Sequence, residues 1–210
     1  MEDDSRALCI LARAPQLDAA QLVAAVAATG SIAELIAQPP SALRALGLRP
    51  PTIVALCAPE AARLEHDQRE VERLRLVLLA ATDPAYPARL AEISGAPHLL
   101  WVRGDVNALS RPQLAIVGSR HPTAGGRRTA REFAHHFARS GLAITSGLAL
   151  GIDAASHDGA LLAGGRTLAV LGTGLDTCYP PENRALAERI VASGEGALVS
   201  EFPPGAVPRR

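Results

Sequence analysis

The sequence of 210 residues contains no lysine, so all 21 of its basic residues are arginine. A P-loop is thereby excluded, because that phosphate-binding motif ends in Gly-Lys followed by Ser or Thr. Aromatic residues make up only 3% of the chain, and no apolar run approaches the roughly 20 residues of a membrane-spanning helix. The formal net charge is zero and 48% of the residues are hydrophobic, which argues against disorder and against a surface that is basic throughout.

Cysteine is also scarce, since Cys9, Cys57 and Cys178 are odd in number and lie far apart without a CxxC pair. This pattern favours reduced thiols over a disulfide framework or a metal site. The chain begins with acidic residues and has no apolar signal segment. We therefore expect a soluble cytoplasmic protein that uses neither a metal nor a cofactor.

The chain has two parts with different patterns, and the boundary is predicted between residues 75 and 76. Residues 1–75 are rich in alanine and show helical periodicity broken by proline and glycine, which predicts a bundle of short helices. Within this part, SIAELIAQPPSALRALGLRPP resembles a helix-hairpin-helix or SAM-like unit. Contact with DNA and a purely accessory or interaction role are both open for it. The run EHDQREVERLRLVLLAATDPAYPARL then predicts a charged helix, a strand and a junction loop.

Residues 76–210 alternate between short apolar runs and helical patterns. The predicted strands are HLLWVRG, LAIVGSR, LAITSG, TLAVLG and GALVSEFPP. The predicted helices are RRTAREFAHHFARSG, with Ala130, Phe133, Ala134 and Phe137 on one face, DAASHDGALLAGG and ENRALAERIVASG. This repeated βα series predicts an α/β fold, an extended Rossmann-like doubly wound domain with a mostly parallel sheet.

Four consecutive predicted strands end in unusual loops: VGSRHPTAGG, TSGLALGID, LGTGLDTCYPPEN and SEFPPG. Ligands of such sheets bind outside the carboxyl ends of the strands. Glycines allow backbone N–H groups to approach an anion, and the following helix N-termini favour negative charge. The planar guanidinium of Arg120 can hold two phosphate oxygens, although an ordinary solvated loop arginine is the alternative. The sequence therefore predicts a phosphate-binding crevice.

The acidic residues of these loops have simpler structural roles open to them. Asp153 is predicted as a helix N-cap and Asp176 as a turn residue. Glu201 is expected to anchor neighbouring loop N–H groups. The alternative is a hydrolytic cluster of Asp153, Asp176 and His157 beside a bound sugar. The protein would then be an enzyme acting on nucleotides or phosphoribosyl compounds, with Asp153, Asp176 or Glu201 as its catalytic carboxylate.

The motifs IVGSR, TSGLALGIDAASHDGAL, TLAVLGTGLDTCYPPENRAL and LVSEFPPG, in this order over roughly residues 84–205, resemble the DprA/Smf family of bacterial DNA processing proteins. The resemblance implies a cytoplasmic single-stranded DNA-binding protein, not an enzyme. It also implies a homodimer that protects incoming DNA and helps to load the RecA recombinase in natural transformation. DNA-binding positions implied by it are Gly118, Ser119, Arg120, Arg127, Arg128, Ser146, Gly147, Gly151, Gly172 and Gly174.

Members of that family continue beyond SEFPPG into an aromatic and arginine-rich segment, a last strand and helix that help to form the dimer, and often a winged-helix domain. The present sequence ends at Arg210. On this comparison it is predicted to be a truncated member of the family, with the closing edge of its sheet exposed.

Overall fold

The computed structural model describes residues 2–208, with side chains from Asp4 onward, so that Arg209 and Arg210 lie outside the described residues. The chain divides into two compact units, one up to Trp101 and one from Val102 onward. This division passes through a β-strand. The predicted end of an independent helical domain, between residues 75 and 76, stays a prediction.

The first unit is a series of short helices, as predicted. Proline and capping residues set their limits: Asp18 forms a capping box with Gln21, and Pro50 occupies the first turn of its helix. The helices are α1 (Glu2–Ala12), α2 (Ala19–Thr29), α3 (Ile32–Ile36), α4 (Pro40–Ala45), α5 (Pro50–Cys57) and α6 (Ala61–Leu74). The predicted passage from a charged helix into a strand is confirmed, because α6 is followed by β1 (Val77–Ala80) and then α7 (Ala88–Ala91).

A buried ion pair joins the end of α1 to α6. Arg13 donates from Nε to Asp67 Oδ2 over 2.6 Å and from Nη2 to Oδ1 over 2.7 Å. The Asp67 side chain is fully buried. The hydrogen bond to Asp67 raises the pKa of the Arg13 guanidinium further above its usual value. Removal of either partner would leave an uncompensated charge in the unit.

The six strands form one sheet in the order β1-β2-β6-β5-β4-β3, and β2 is the strand through which the division of the two units passes. The pairs β3–β4, β4–β5 and β5–β6 are parallel. The remaining elements are β2 (Leu99–Gly104), β3 (Gln113–Ala115), α8 (Ala124–Arg139), β4 (Ala143–Ser146), α9 (Ile152–Leu162), β5 (Thr167–Leu171), α10 (Arg184–Ala192) and β6 (Ala197–Ser200). The predicted mostly parallel, Rossmann-like α/β fold is thus confirmed.

Helices α8 and α9 pack tightly against each other through small residues. The core beneath them contains Ala134, Ala138, Ile144 and Ala160. Gly159 is buried, and a Cβ atom added there would collide with the carbonyl oxygen of Arg131. Only glycine therefore permits this helix–helix distance.

Two details of the second unit differ from the prediction. The strand predicted over LAIVGSR is regular only over Gln113–Ala115, because β3 lies at the edge of the sheet with a single neighbour. Phe133, predicted on the apolar face of α8 with Ala130, Ala134 and Phe137, is 58% exposed. Ala138 is buried on that face instead. Over residues 2–208, no helix has the length and apolar character needed to cross a membrane.

Candidate nucleic-acid interface

The carboxyl ends of β3, β4, β5 and β6 open into loops at one edge of the sheet, because these neighbouring strands are parallel. The loops comprise residues 116–123, 147–151, 172–180 and 201–208. They contain all the predicted DNA-binding positions except Ser146, which ends β4, and Arg127 and Arg128, which lie in the first turns of α8. The predicted set therefore lies largely along this edge.

The first two loops are held against each other by backbone contacts. Ile152 N–H, at the start of α9, donates to the carbonyl oxygen of Ser119 over 3.1 Å. Gly151 has φ +86°, and an added Cβ would collide with that same carbonyl oxygen. A Cβ at Gly118 would lie 2.8 Å from Ile152 Cγ1. These glycines are thus required by the close approach of two loops.

Asp153 has a different structural role from the one predicted. The N-cap of α9 is Gly151, and Asp153 is the second residue of the helix, with 6% of its surface exposed. Its carboxylate oxygen Oδ2 accepts hydrogen bonds from Gly147 N–H over 3.1 Å and from Ala149 N–H over 3.4 Å. Asp153 therefore stabilises the loop that precedes α9 by accepting hydrogen bonds from two of its backbone N–H groups.

Ser146 also has a structural partner. Its side chain is 3% exposed, and Oγ donates to the carbonyl oxygen of Ile116 over 2.7 Å. This bond ties the end of β4 to the residue that follows β3. The hydroxyl is consequently directed into the protein, and any contribution of Ser146 to the crevice comes from positioning the two loops.

The third and fourth loops are joined in the same manner. Both carboxylate oxygens of Asp176 accept from Gly205 N–H at 3.0 Å, and Gly174 N–H donates to Ala206 O over 3.0 Å. A Cβ on the buried Gly174 would lie 2.6 Å from the carbonyl oxygen of Pro203. Asp176 is thus the residue that bridges two strand-end loops.

The role predicted for Glu201 is wrong. Its side chain is exposed and makes no hydrogen bond to a loop N–H group among the described residues. Anchoring of this loop is instead performed by Ser200, whose Oγ accepts from Phe202 N–H over 3.0 Å. Ser200 is the last residue of β6 and is fully buried, so its hydroxyl lies beside the first backbone N–H groups of the loop.

Asn183 is a positioning residue that the sequence did not predict. Asn183 is 8% exposed and donates from Nδ2 to the carbonyl oxygen of Leu148 over 2.8 Å. This bond connects the segment after β5 to the loop after β4. A polar residue directly before α10, in PPENRAL, was the available signal, although its partner 35 residues away is set only by the fold.

His157 does not join the hydrolytic cluster considered from the sequence. It is fully buried, and its ring lies 2.7 Å from Thr167 Oγ1 through Nδ1. Because that hydroxyl donates to the carbonyl oxygen of Ile144, Nδ1 must carry the proton and donate to Thr167. Burial lowers the pKa of His157 from 6.5 to about 4. His157 is therefore a neutral core residue.

The groups facing solvent include three arginines and loop backbone, together with the exposed carboxylate of Glu201 in the fourth loop. Arg120, Arg127 and Arg128 are exposed, and none forms an ion pair with an acidic side chain of residues 4–208. Gly172 is exposed, and a Cβ added there would meet no atom within 4 Å. Ser119 Oγ accepts from His121 N–H over 3.0 Å, which shapes the turn that carries Arg120. Uncompensated positive charge thus borders a rigid wall of interlocked loops, an arrangement suited to a polyanion.

No group of three or more His, Cys, Asp or Glu side chains within the described part of the chain could hold a metal ion. Cys178 lies in the third loop, and burial raises the pKa of its thiol. A raised pKa opposes thiolate formation. The Cys178 thiol is therefore disfavoured as a nucleophile at this edge.

Residues 77–210 match the family model described as DNA recombination-mediator protein A. The chain is 43% identical over 150 residues to the protein Smf of Synechocystis sp., a match that covers 70% of this chain and 36% of that protein. The chain thus spans about a third of the length of that curated relative.

Two solved structures resemble the fold. The X-ray structure of DNA processing protein A from Streptococcus pneumoniae superimposes with a TM-score of 0.73 at 28% identity, covering 95% of this chain and 68% of that one. DNA processing protein A from Helicobacter pylori, solved for its single-stranded DNA binding mode, gives a TM-score of 0.55 at 27% identity, covering 65% of this chain and 60% of that one.

Proposed function

The chain belongs to the DNA recombination-mediator protein A family, and from this membership we propose that its second compact unit binds single-stranded DNA. The observation that carries the proposal is the edge of the sheet where four interlocked loops lie beside exposed arginines, which have no acidic partners among the side chains of residues 4–208. Arg120 is the central phosphate ligand in this proposal. The loop backbone near Gly118, Gly147, Gly151, Gly172 and Gly174 forms the wall, in which the N–H groups of Gly147 and Gly174 hold the loops together.

This site is proposed to be insensitive to base sequence. A guanidinium and backbone amides recognise phosphate oxygens, which every nucleotide shares. The zero net charge of the chain means that attraction to DNA depends on the local group of Arg120, Arg127 and Arg128. Affinity is therefore expected to fall steeply with salt. Binding of the arginines releases cations condensed on the strand, and added salt reduces the free energy gained from that release.

The wider roles complete the proposal for the protein at full family length. They are protection of incoming DNA, loading of the RecA recombinase during natural transformation, and assembly of a homodimer in the cytoplasm. The support for them is family membership and the solved relative from Helicobacter pylori.

A binding function without catalysis is proposed. An enzyme acting on nucleotides would need a carboxylate over the bound sugar. Asp153 and Asp176 both accept hydrogen bonds from loop backbone, so the exposed Glu201 is the remaining candidate. Release of free base from nucleoside monophosphates by the purified chain, lost in Asp153→Asn or in Glu201→Gln, would contradict the proposal.

The test of the site is Arg120→Ala. Loss of one charge-assisted phosphate contact is expected to weaken oligo-dT binding roughly 10- to 100-fold and to reduce the slope of log K against log salt by about 0.7. Fluorescence anisotropy at several salt concentrations measures both quantities.

Arg111→Ala is the matched control, because Arg111 is also exposed and precedes β3, at the other end of that strand. It removes the same charge and should leave both quantities nearly unchanged. Equal affinity and slope for Arg120→Ala and the parent would show that Arg120 does not hold the strand.

A further inference from the structure

The outer face of α8 carries an exposed aromatic group in a chain that has few aromatics. Two of the three phenylalanines, Phe133 and Phe137, lie on this helix. Phe133 is 58% exposed, and its ring meets Phe137 edge to face with centroids 6.2 Å apart. The exposed His136 lies against Phe137 as well, with centroids 5.4 Å apart. Phe133 thus contacts Phe137 while more than half of its surface stays exposed.

Arginines lie along the same helix surface. Arg128 and Arg139 are eleven residues apart, which is about three turns, so that they share one side of α8 about 16 Å apart. Both are exposed, and neither has an acidic partner in the described part of the chain. Arg131 differs, because its guanidinium lies 3.5 Å from Asp158 of α9. Glu132 is the acidic residue of this helix and lies between the two unpaired arginines.

The surface is continuous with the proposed crevice. Helix α8 starts directly after the loop that carries Arg120, with Thr123 as its N-cap. An open groove of about 520 Å³ runs along its first turns, lined by Pro122, Ala124, Arg127, Arg128, Arg131 and Glu132. A strand that leaves the crevice at Arg120 therefore meets cationic side chains along α8.

We propose that the outer face of α8, meaning Arg128, Phe133, His136 and Arg139, is a second segment of the path for single-stranded DNA. The two arginines hold phosphates along one strip of this face, and a base stacks on Phe133 and His136 on the adjoining strip. This inference rests on the proposed function. A single strand suits the surface because its bases are free to stack on aromatic rings, whereas duplex bases are not. The flanking positive charge favours a polyanion over an apolar protein surface.

Tryptophan fluorescence tests the stacking directly. Phe133→Trp keeps an aromatic ring at the site, and oligo-dT of about 20 nucleotides is expected to quench its emission. The native Trp101 is fully buried and supplies a constant background in the parent protein. Leu162→Trp is the matched control, because Leu162 is 65% exposed on α9, outside the outer face of α8. It should show little quenching.

Affinity measurements test the energetic contribution of the same surface. Phe133→Leu keeps the apolar side chain but removes the ring, and we expect it to weaken binding of an oligomer of about 20 nucleotides about tenfold. Arg139→Ala should weaken it to a similar extent, whereas Glu132→Gln should strengthen it. An oligomer of about 6 nucleotides, short enough to occupy the crevice alone, should bind these variants as it binds the parent.

Several results would overturn the inference. Unquenched Phe133→Trp in the presence of bound oligo-dT, or equal loss in Arg139→Ala and the control Arg111→Ala, would remove α8 from the path while leaving the crevice proposal intact. Emission of Phe133→Trp that changes with protein concentration but not with DNA would assign the face to a second copy of the chain. Absence of any oligo-dT binding by the parent would end both proposals.

Discussion

Gly172 and Gly151 both lie in loops at the carboxyl edge of the sheet, but their surroundings differ. Substitution of Gly172 is expected to affect DNA binding, and substitution of Gly151 is expected to affect stability. A Cβ at Gly172 meets nothing within 4 Å, whereas at Gly151, with φ +86°, it collides with backbone. We expect Gly172→Ala to change the free energy of unfolding by less than about 0.5 kcal/mol and to weaken oligo-dT binding by obstructing approach of the strand. Gly151→Ala should lower that free energy by about 1–3 kcal/mol.

Urea denaturation and fluorescence anisotropy measure the two effects separately. Unchanged affinity in a Gly172→Ala protein of normal stability would place the strand elsewhere. The sequence predicts both glycines for the same site. Only the surroundings of each distinguish a glycine required by the fold from one open to a ligand.

The close packing of helices α8 and α9 limits which residues can stand at their contact. Gly159 of α9 faces the carbonyl oxygen of Arg131, and an added Cβ would also lie 3.0 Å from Ala134 Cβ. We expect Gly159→Ala to lower the free energy of unfolding by about 2 kcal/mol, since the helices must move apart. Gly125→Ala on α8 is the control, because its Cβ would have space and alanine favours helix by about 0.5–1 kcal/mol.

Chemical denaturation of the two variants should therefore give changes of opposite sign. A stable Gly159→Ala protein would mean that the helix pair tolerates a wider spacing. The elements themselves were largely predictable, because the periodicity of α8 and the apolar runs of β4 and β5 are local patterns. The limits of β3 were not, because an edge strand depends on its single neighbour for regular hydrogen bonds.

The pH dependence of the free energy of unfolding is a property of the whole molecule, because it depends on the protons bound by the folded and unfolded states. Burial lowers the pKa of His157 from 6.5 to about 4. The unfolded chain therefore binds more protons between these values, and the stability contributed by neutral His157 is present above pH 6.5 and lost as pH falls toward 4. The decrease is expected to reach at most about 1.4 kcal/mol per pH unit.

His157→Gln isolates this contribution, since carboxylates affect both proteins alike. Denaturation midpoints of the parent and His157→Gln, measured from pH 7 to pH 4, should converge as the pH falls. Parallel profiles would show that His157 is protonated in the folded protein without cost. The same measurement requires no assumption about DNA.

The alternation of strands and helices, the parallel sheet and the glycine-rich loops at its carboxyl edge could be predicted from the sequence alone. These follow from local periodicity and from the connectivity of βα units. Which side chains of those loops are free depends on the folded chain, because their partners are distant in sequence. Asp153, Asp176 and Ser146 accept or donate hydrogen bonds within the protein, and the partners of Asp176 and Ser146 lie 29 and 30 residues away. Arg120 has no such partner among the described side chains of residues 4–208.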